Sequence, residues 1–160
     1  MVTFDGVVGN GQSGLSSVDS DKDWYWESNT LYVFSIGNPS NVYASPGVEA
    51  SFKFASISTN KSYLVFEYLD LRMNNDTAPV YIYGGEHITV RNCDIGPGNG
   101  RGIHNDAGSY NTFQDNQIHD MTGRGIWIDN RSGPADFATI SGNTIQNCPT
   151  IGIDLYGDYH

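Results

Sequence analysis

The sequence predicts an all-β solenoid, a fold in which each sequence repeat forms one coil and successive coils stack on one another. Two observations support this prediction. The segment from residue 86 to residue 160 contains three copies of one pattern, offset by 23 and then by 27 residues. Within the copies, apolar residues alternate over short runs, which is the period of a strand with one buried face. No stretch of this half keeps a helical period over ten residues, so helical repeats are excluded.

The three copies align on their aliphatic positions, and each aligned column is expected to form an inward-facing ladder. The columns are Val90/Phe113/Ile140, Ile95/Ile118/Ile145 and Ile103/Ile126/Ile153, and a weaker preceding copy adds Phe66, Leu71 and Val80. Asn116 and Asn143 share a further column, which also contains Cys93. Stacked Asn side chains at a coil bend can hydrogen-bond along the stack, so this column is expected to point inward.

The segments NTIQN, GNGRGI and GRGIWI resemble the repeats of right-handed parallel β-helix proteins, the pectate-lyase-like group. The resemblance covers residues 60–160 and implies a right-handed parallel β-helix of about four to five coils. The group is described as containing polysaccharide lyases, hydrolases, epimerases, phage tailspikes and adhesins. The resemblance therefore implies the fold without choosing among these activities.

Residues 1–47 are expected to form an N-terminal cap and lead-in segment, and residues 48–160 are expected to form the coils. The strands WYW and LYVFS, joined by ESNT, predict a β-hairpin that is well placed to cover the open N-terminal edge of the coils. The segment VEASFKFASIS predicts an early strand or an irregular first coil. Residues 158–160 stop where another coil would begin, which predicts either a fragment of a longer β-helix or a homo-oligomer through an open C-terminal coil.

The composition excludes several classes of partner. A formal net charge of −10 and a pI near 4.4 argue against nucleic acid or an anionic membrane, because both require a basic face. The segment DSDKD begins like a calcium loop, but Trp24 stands where such a loop needs Gly, so a solvated loop is expected. Cys93 and Cys148 lie two coils apart and are expected to be free. The acidic, Asn-rich composition suggests an extracellular protein, although no signal peptide is visible.

Strand alternation places two outward-facing columns on the longest predicted strands. They are Tyr81/His104/Trp127/Asp154 and Tyr83/Asp106/Asp129/Tyr156, with Arg101 and Arg124 just before them. The four-residue insertion within NRSGPAD is expected to form a loop at the edge of this face. Rings, carboxylates and cations repeated every ~4.8 Å suit an elongated sugar chain. The same side chains would also stabilise the sheet by cross-strand stacking, and both interpretations stay open.

The sequence leaves three functions open, of which polysaccharide or oligosaccharide binding is preferred. The ligand-binding candidates are Tyr81, Tyr83, Arg101, His104, Asp106, Arg124, Trp127, Asp129, Asp154 and Tyr156. Another open function is that of a structural or adhesive solenoid, in which the outward columns serve only stability and assembly.

The remaining open function is catalysis, by a polysaccharide lyase or glycoside hydrolase that uses His104, Asp106, Arg124 and Asp129. Carboxylates about 5 Å apart suit a retaining glycosidase, provided that one of the pair holds a proton at neutral pH. In a lyase, His104 or Arg124 would instead take the C5 proton of a uronic acid, and Asp106 and Asp129 would hold calcium against the substrate carboxylate. No motif of a lyase or hydrolase family matches these residues. His87 and His119 are expected to be solvated turn residues.

Overall fold

The chain divides into two compact units, Met1–Phe52 and Lys53–His160. The computed structural model describes residues 1–51 and 53–157, so the predicted open end at residues 158–160 lies outside the described residues. The second unit is a parallel β-solenoid of about four turns, which confirms the predicted fold class. Within the described residues, no helix is both long and apolar enough to span a membrane.

The first unit consists of short strands, one 3-10 turn and one helical turn. Its elements are β1 (Val2–Phe4), β2 (Val7–Val8), β3 (Asn10–Gly11), the 3-10 turn (Leu15–Ser17), β4 (Asp23–Glu27), β5 (Thr30–Val33), α1 (Pro39–Val42) and β6 (Val48–Ala50). Strands β4 and β5 pair antiparallel with Tyr25 opposite Tyr32, so the predicted hairpin is present. Strand β1 pairs antiparallel with both β2 and β6, and Val2, Phe4 and Tyr43 form the buried core of this unit.

Strand β6 therefore belongs to the first unit, whereas the sequence analysis predicted that the coils begin at residue 48. The alternation of Val48, Glu49 and Ala50 fits an antiparallel partner as well as a parallel one, so the sequence pattern alone did not choose between them. The capping role of the hairpin stays a prediction.

Three parallel sheets run along the second unit, and each full coil contributes one strand to each sheet. Sheet A contains β7 (Ile57–Thr59), β10 (Val80–Tyr83), β13 (Ile103–Asp106), β16 (Ile126–Asp129) and β19 (Ile153–Tyr156). Sheet B contains β8 (Val65–Glu67), β11 (Thr89–Arg91), β14 (Thr112–Gln114) and β17 (Thr139–Ser141). Sheet C contains β9 (Asp70–Leu71), β12 (Asp94–Ile95), β15 (Gln117–His119) and β18 (Thr144–Gln146).

The strand register reproduces the aliphatic columns that the sequence predicts. Their opposed residues are Val80/Ile103/Ile126/Ile153 in sheet A, Phe66/Val90/Phe113/Ile140 in sheet B and Leu71/Ile95/Ile118/Ile145 in sheet C. Ile103 and Ile126 are fully buried, whereas Ile153 is 46% exposed, because β19 has a described strand on one side only. The homo-oligomer through this coil stays a prediction.

Asn116 lies at the bend between sheets B and C and is almost fully buried. Its Nδ2 donates to the carbonyl oxygen of Val90 and to Oδ1 of Asn143, both at 2.9 Å. Its Oδ1 accepts from the backbone N–H of Cys93 at 3.0 Å. The predicted inward polar column is therefore present, and the buried amide is satisfied by the two neighbouring coils. Cys93 and Cys148 are both free, as expected.

Candidate ligand-binding face

The outer face of sheet A brings together the residues that the sequence predicts to bind a ligand. They stand opposite one another in two rows, Tyr81/His104/Trp127/Asp154 and Tyr83/Asp106/Asp129/Tyr156. The rings in the first row contact one another: the centroids of His104 and Trp127 are 4.3 Å apart, and those of Tyr81 and His104 are 4.9 Å apart. Cross-strand stacking is therefore a real contribution of this face to sheet stability.

The expectation that both rows face solvent is wrong for three side chains. His104, Trp127 and Asp129 are only 6%, 5% and 2% exposed, although they lie on the outer side of the sheet. Tyr83 and Tyr156, at the two ends of the second row, are 42% and 53% exposed. A sugar ring can therefore stack on the two tyrosines, but not on Trp127 in this arrangement.

Three arginines cover Trp127. The guanidinium carbons of Arg101, Arg124 and Arg131 lie 4.2, 4.9 and 4.7 Å from the centroid of its ring. All three distances are within the range of a cation–π interaction. These arginines are the physical reason why the Trp127 ring is buried rather than exposed.

The repeated Arg-Gly-Ile sequence positions two of these arginines. Arg101 and Arg124 each precede a glycine that lies against the neighbouring coil. A Cβ atom on Gly102 would be 2.7 Å from the carbonyl oxygen of Gly125 and 2.4 Å from Cγ2 of Ile118. Because a larger residue would push the coils apart, glycine keeps the two arginines at equivalent positions of adjacent coils.

Two of the arginines are neutralised by carboxylates, and one is not. Nε of Arg124 donates to Asp154 at 2.5 Å, and Arg131 donates to both oxygens of Asp129 at 2.6 to 3.0 Å. Arg101 forms no ion pair or side-chain hydrogen bond with any residue in 1–51 or 53–157. Of the two arginines that precede the outward columns, Arg124 alone therefore has a carboxylate partner within the described chain.

Arg131 was missed by sequence reasoning. It lies in the inserted loop after β16, two residues beyond Asp129, so its side chain can fold back onto that carboxylate. The neighbouring Ser132 donates to Asp106 at 3.2 Å. The insertion itself was visible as a difference in repeat length, but the strand period assigns no direction to side chains in a loop.

Several buried polar atoms on this face have no hydrogen-bond partner within the described part of the chain. They are both ring nitrogens of His104, Nε1 of Trp127 and Oδ1 of Asp106. Nε2 of His104 lies 3.6 Å from Oδ2 of Asp129, which is longer than a hydrogen bond. An unsatisfied buried polar group costs about 1–3 kcal/mol, so a cluster of such atoms marks a place where a polar ligand or water can bind favourably.

The charge states of His104 and Asp129 bear on the catalytic roles considered for this face. Burial and the charge of Arg101 lower the pKa of His104 to about 4, against the weaker attraction of Asp106 and Asp129, so its imidazole is neutral at pH 7. Burial raises the pKa of Asp129, but hydrogen bonds from Arg131 outweigh it and the net shift is downward. Asp129 is therefore ionised at neutral pH and cannot be the protonated member of a glycosidase pair.

Calcium binding by Asp106 and Asp129 is equally unsupported. Arg131 occupies both carboxylate oxygens of Asp129, which a cation would need. Among residues 1–51 and 53–157, no group of three or more His, Cys, Asp or Glu side chains is arranged to hold a metal ion.

A second polar cluster lies on the outer side of sheet C, around His119. Nε2 of His119 is 2.9 Å from Oδ1 of Asp94, and Nδ1 is 2.8 Å from Oδ2 of Asp120. Asn147 of the next coil donates to the other oxygen of Asp120 at 2.8 Å. Asp94, His119 and Asp120 border a pocket of about 680 Å³. The expectation of a solvated turn residue is wrong for His119, because the ring is bound by two carboxylates and its side chain is only 21% exposed.

The position of Asp94 relative to His119 on adjacent coils indicates this cluster from the strand register alone. Asp94 is directly opposite Gln117, so it lies diagonally across from His119. Such diagonal neighbours are within reach of long side chains. The contact is invisible within a single coil, because its two partners come from adjacent coils.

The contacts of His119 predict a pH-dependent contribution to stability. Burial lowers the pKa of His119, but the hydrogen bonds to Asp120 and Asp94 outweigh it, and the net shift is upward. A raised pKa in the folded state stabilises fully below the unfolded value of about 6.5, and this contribution disappears as the pH rises through the folded value. We expect His119→Gln to destabilise the protein by roughly 1 kcal/mol at pH 5.5 and by clearly less at pH 8.5, as measured by urea unfolding.

His87→Gln is the matched control for this prediction. The His87 ring stacks between two tyrosine rings rather than between carboxylates. The stability difference between this variant and the wild type should not change with pH in the same way. A His119→Gln effect that is constant or grows from pH 5.5 to pH 8.5 would contradict the role of the imidazolium ion.

His87 belongs to a column of four stacked rings at the corner between sheets A and B. The column consists of Tyr63, His87, Tyr110 and Phe137, with centroid spacings of 4.9, 5.0 and 4.9 Å. All four residues have positive φ, between 53° and 62°. The expected solvent exposure of His87 is observed, but its ring is stacked. The rings face one another, so they present mainly their edges to solvent.

Parallel sheets stacked coil on coil, with a polar and aromatic outer face on sheet A, define this chain as a β-solenoid. The family model for the right-handed β-helix region matches residues 36–159, and the chain belongs to that family. Comparison with curated proteins finds no match, and comparison with solved structures finds none either. Family membership confirms the right-handed β-helix that the resemblance implied, and it specifies the fold rather than a ligand.

Proposed function

We propose that the chain binds a polysaccharide along the outer face of sheet A. The observation that carries this proposal is the unbroken register of aromatic and charged side chains across four strands, from Tyr81 and Tyr83 on β10 to Asp154 and Tyr156 on β19. Parallel coils repeat such groups every ~4.8 Å along one line. A line of repeated groups suits a polymer of repeated units better than a small isolated ligand.

Some side chains of this face can contact the polysaccharide, and others hold those side chains in place. Tyr83 and Tyr156 stand in the same row and are exposed, so their rings can cover the C–H faces of sugars. Arg131 lies near Tyr156, with its guanidinium carbon 5.2 Å from the ring centroid. Trp127 is buried, and its role is therefore to support the face rather than to stack on a sugar.

A glycan-array screen of the wild type and a Tyr83→Ala/Tyr156→Ala variant, with and without calcium, tests the proposal. We expect the wild type to bind at least one polysaccharide and the double variant to bind it about tenfold or more weakly. The reason is that an aromatic ring contact contributes about 0.5–1.5 kcal/mol beyond its buried area, and two rings are lost. Release of reducing ends during the incubation would instead indicate a lyase or a hydrolase.

Tyr63→Ala is the matched control, because Tyr63 is 78% exposed but belongs to the corner column rather than to the outer face of sheet A. Its binding should equal that of the wild type. The proposal fails if the wild type binds no glycan, or if the double variant binds as well as the wild type.

A further inference from the structure

Among the residues that the structure describes, Arg101 is the one arginine of the outer face of sheet A without a carboxylate partner. We infer that Arg101 forms an anion subsite for a carboxylate or sulfate group of the bound polysaccharide, and that Trp127 is the positioning residue that holds its guanidinium in place. This inference rests on the proposed function, since it names the chemical group that the same face recognises.

Arg101 differs from its two arginine neighbours in having no carboxylate partner among the described residues. Arg124 is paired with Asp154, and Arg131 with Asp129. The Arg101 guanidinium instead lies 4.2 Å from the Trp127 ring, the shortest of the three arginine distances, and the side chain is half-buried. Its five N–H donors remain available to the planar oxygens of a carboxylate or sulfate.

Three guanidinium groups lie close together around the Trp127 ring. Burial and the positive charges of Arg124 and Arg131 lower the pKa of Arg101, and the attraction of Asp129 and Asp76 does not offset them. Arg101 therefore lies near two further guanidinium groups, each of which has its own carboxylate partner, whereas Arg101 has none among the described residues. An anion bound beside Arg101 would relieve the repulsion between the three arginines. The acidic remainder of the protein restricts this attraction to short range.

Two buried rings beside the arginines carry polar atoms that have no hydrogen-bond partner among the described residues. Nε1 of Trp127 is a buried donor without a partner in the described chain. The neutral ring of His104 carries one N–H, which is also buried and also lacks a partner there. Both rings are more than nine-tenths buried. Oxygens of an anion can accept from such donors. The nearby carboxylate of Asp106 accepts from Tyr81 and Ser132, which offsets part of its charge.

Trp127 acts through Arg101 in this arrangement. A long arginine side chain loses rotamer freedom when it binds an anion. The ring fixes the guanidinium before the ligand arrives, so less freedom is lost on binding. Phenylalanine at this position would keep a flat ring under the guanidinium, whereas alanine would remove it.

Three dextran polymers that share one backbone test the anion subsite: dextran, carboxymethyl-dextran and dextran sulfate. We expect the wild type to bind the two anionic polymers at least tenfold more tightly than dextran, and the preference to weaken at high salt. Arg101→Gln should lose that preference. Arg101→Lys should recover only part of it, because an ammonium group neither stacks flat nor donates as a fork. Carboxymethyl-dextran and dextran sulfate separate the two possible anions.

Arg91→Gln is the matched charge control. Arg91 is an exposed arginine of sheet B that pairs with Glu67, so its replacement removes the same charge from another face. It should leave the preference for the anionic polymers unchanged. Equal loss in Arg91→Gln and Arg101→Gln would show that only net charge matters and would overturn the inference.

A double-mutant cycle tests the positioning role of Trp127. We expect Trp127→Phe to retain most of the anion preference and Trp127→Ala to lose about as much as Arg101→Gln. In the combined Arg101→Gln/Trp127→Ala variant, the losses should not add, because both changes remove the same interaction. Additive losses would overturn the positioning role. If Trp127→Ala fails to fold, Trp127→Leu takes its place, because leucine keeps apolar bulk without an aromatic face. It should lose the anion preference that Trp127→Phe retains, and equal preference in the two variants would overturn the positioning role.

The outcomes also separate this inference from the proposed function. Binding of a neutral glycan that depends on Tyr83 and Tyr156, but not on Arg101, would overturn the anion subsite and leave polysaccharide binding intact. Failure of every polymer and every array glycan to bind would overturn both. Loss of the anion preference in Arg101→Gln, with Arg91→Gln unchanged, would support the anion subsite.

Discussion

Replacing Ile126 with alanine is expected to lower the free energy of unfolding by about 2–5 kcal/mol. Ile126 is fully buried, and described strands lie on both sides of it, with Ile103 opposite on one side and Ile153 on the other. Truncation removes apolar burial and also leaves a cavity, because the stacked coils are held apart by their backbone hydrogen bonds. Urea unfolding followed by circular dichroism would measure this change.

Ile153→Ala is the matched comparison, since it makes the same chemical change in the same column. Ile153 is 46% exposed in the last described strand, so less apolar area is lost and no closed cavity forms. We expect a cost of about 1 kcal/mol or less at this position. Equal losses at the two positions would mean that something in solution covers β19.

Asn116→Ala is expected to cost about 2–4 kcal/mol, although Asn116 is polar and makes no contribution to the aliphatic ladders. The change leaves the backbone N–H of Cys93 and the carbonyl of Val90 without this partner, whereas Oδ1 of Asn143 still accepts from the backbone N–H of residue 116. Two of these groups are buried in a bend between sheets, where water cannot easily replace the amide. The same urea titration would measure the effect.

Asn143→Ala provides the comparison for this prediction. Asn143 occupies the equivalent position one coil later, and its Nδ2 donates to the carbonyl oxygen of Phe113 at 2.8 Å. It is half-buried, so water can replace part of what alanine removes. We expect a cost of about 1 kcal/mol. If Asn116→Ala were as mild as Asn143→Ala, the inward Asn column would not be a main determinant of the bend.

The repeat unit of the solenoid could be predicted from the sequence because identical structural positions carry similar side chains. Val90, Phe113 and Ile140 differ in shape but share the requirement to be apolar, and their strands pair at the offsets of the sequence copies. Asn116 and Asn143 were identified for the same reason. A repeat turns one local pattern into several independent observations of the same environment.

The environment of the outer face could not be predicted in the same way. Alternation assigned Trp127 and Asp129 to the outer side of the sheet, and this assignment is correct. Their burial depends on Arg131, which comes from a loop without a period, and on the direction in which Arg101 and Arg124 fold. Long flexible side chains can follow many paths from one backbone position, and the strand period does not choose among them.

The contacts of His119 were missed for a different reason. Asp94 and Asp120 come from two coils, and each alone resembles an ordinary solvated carboxylate. Their effect on the imidazole becomes visible only when the outward residues of adjacent strands are compared diagonally. Such contacts follow from the register and could be inferred wherever the register is already known.

The inserted loop between β16 and β17 has a consequence for how this protein can change. Strands β13 and β16 are offset by 23 residues and strands β16 and β19 by 27, yet both pairs keep the same register. The additional residues, which include Arg131 and Ser132, are therefore accommodated outside the stack while contacting the second row of the outer face. Such a loop can lengthen, shorten or be exchanged without shifting any ladder. We therefore expect related solenoids to differ in ligand choice mainly through this loop. A new recognition segment could be grafted here with little cost in stability.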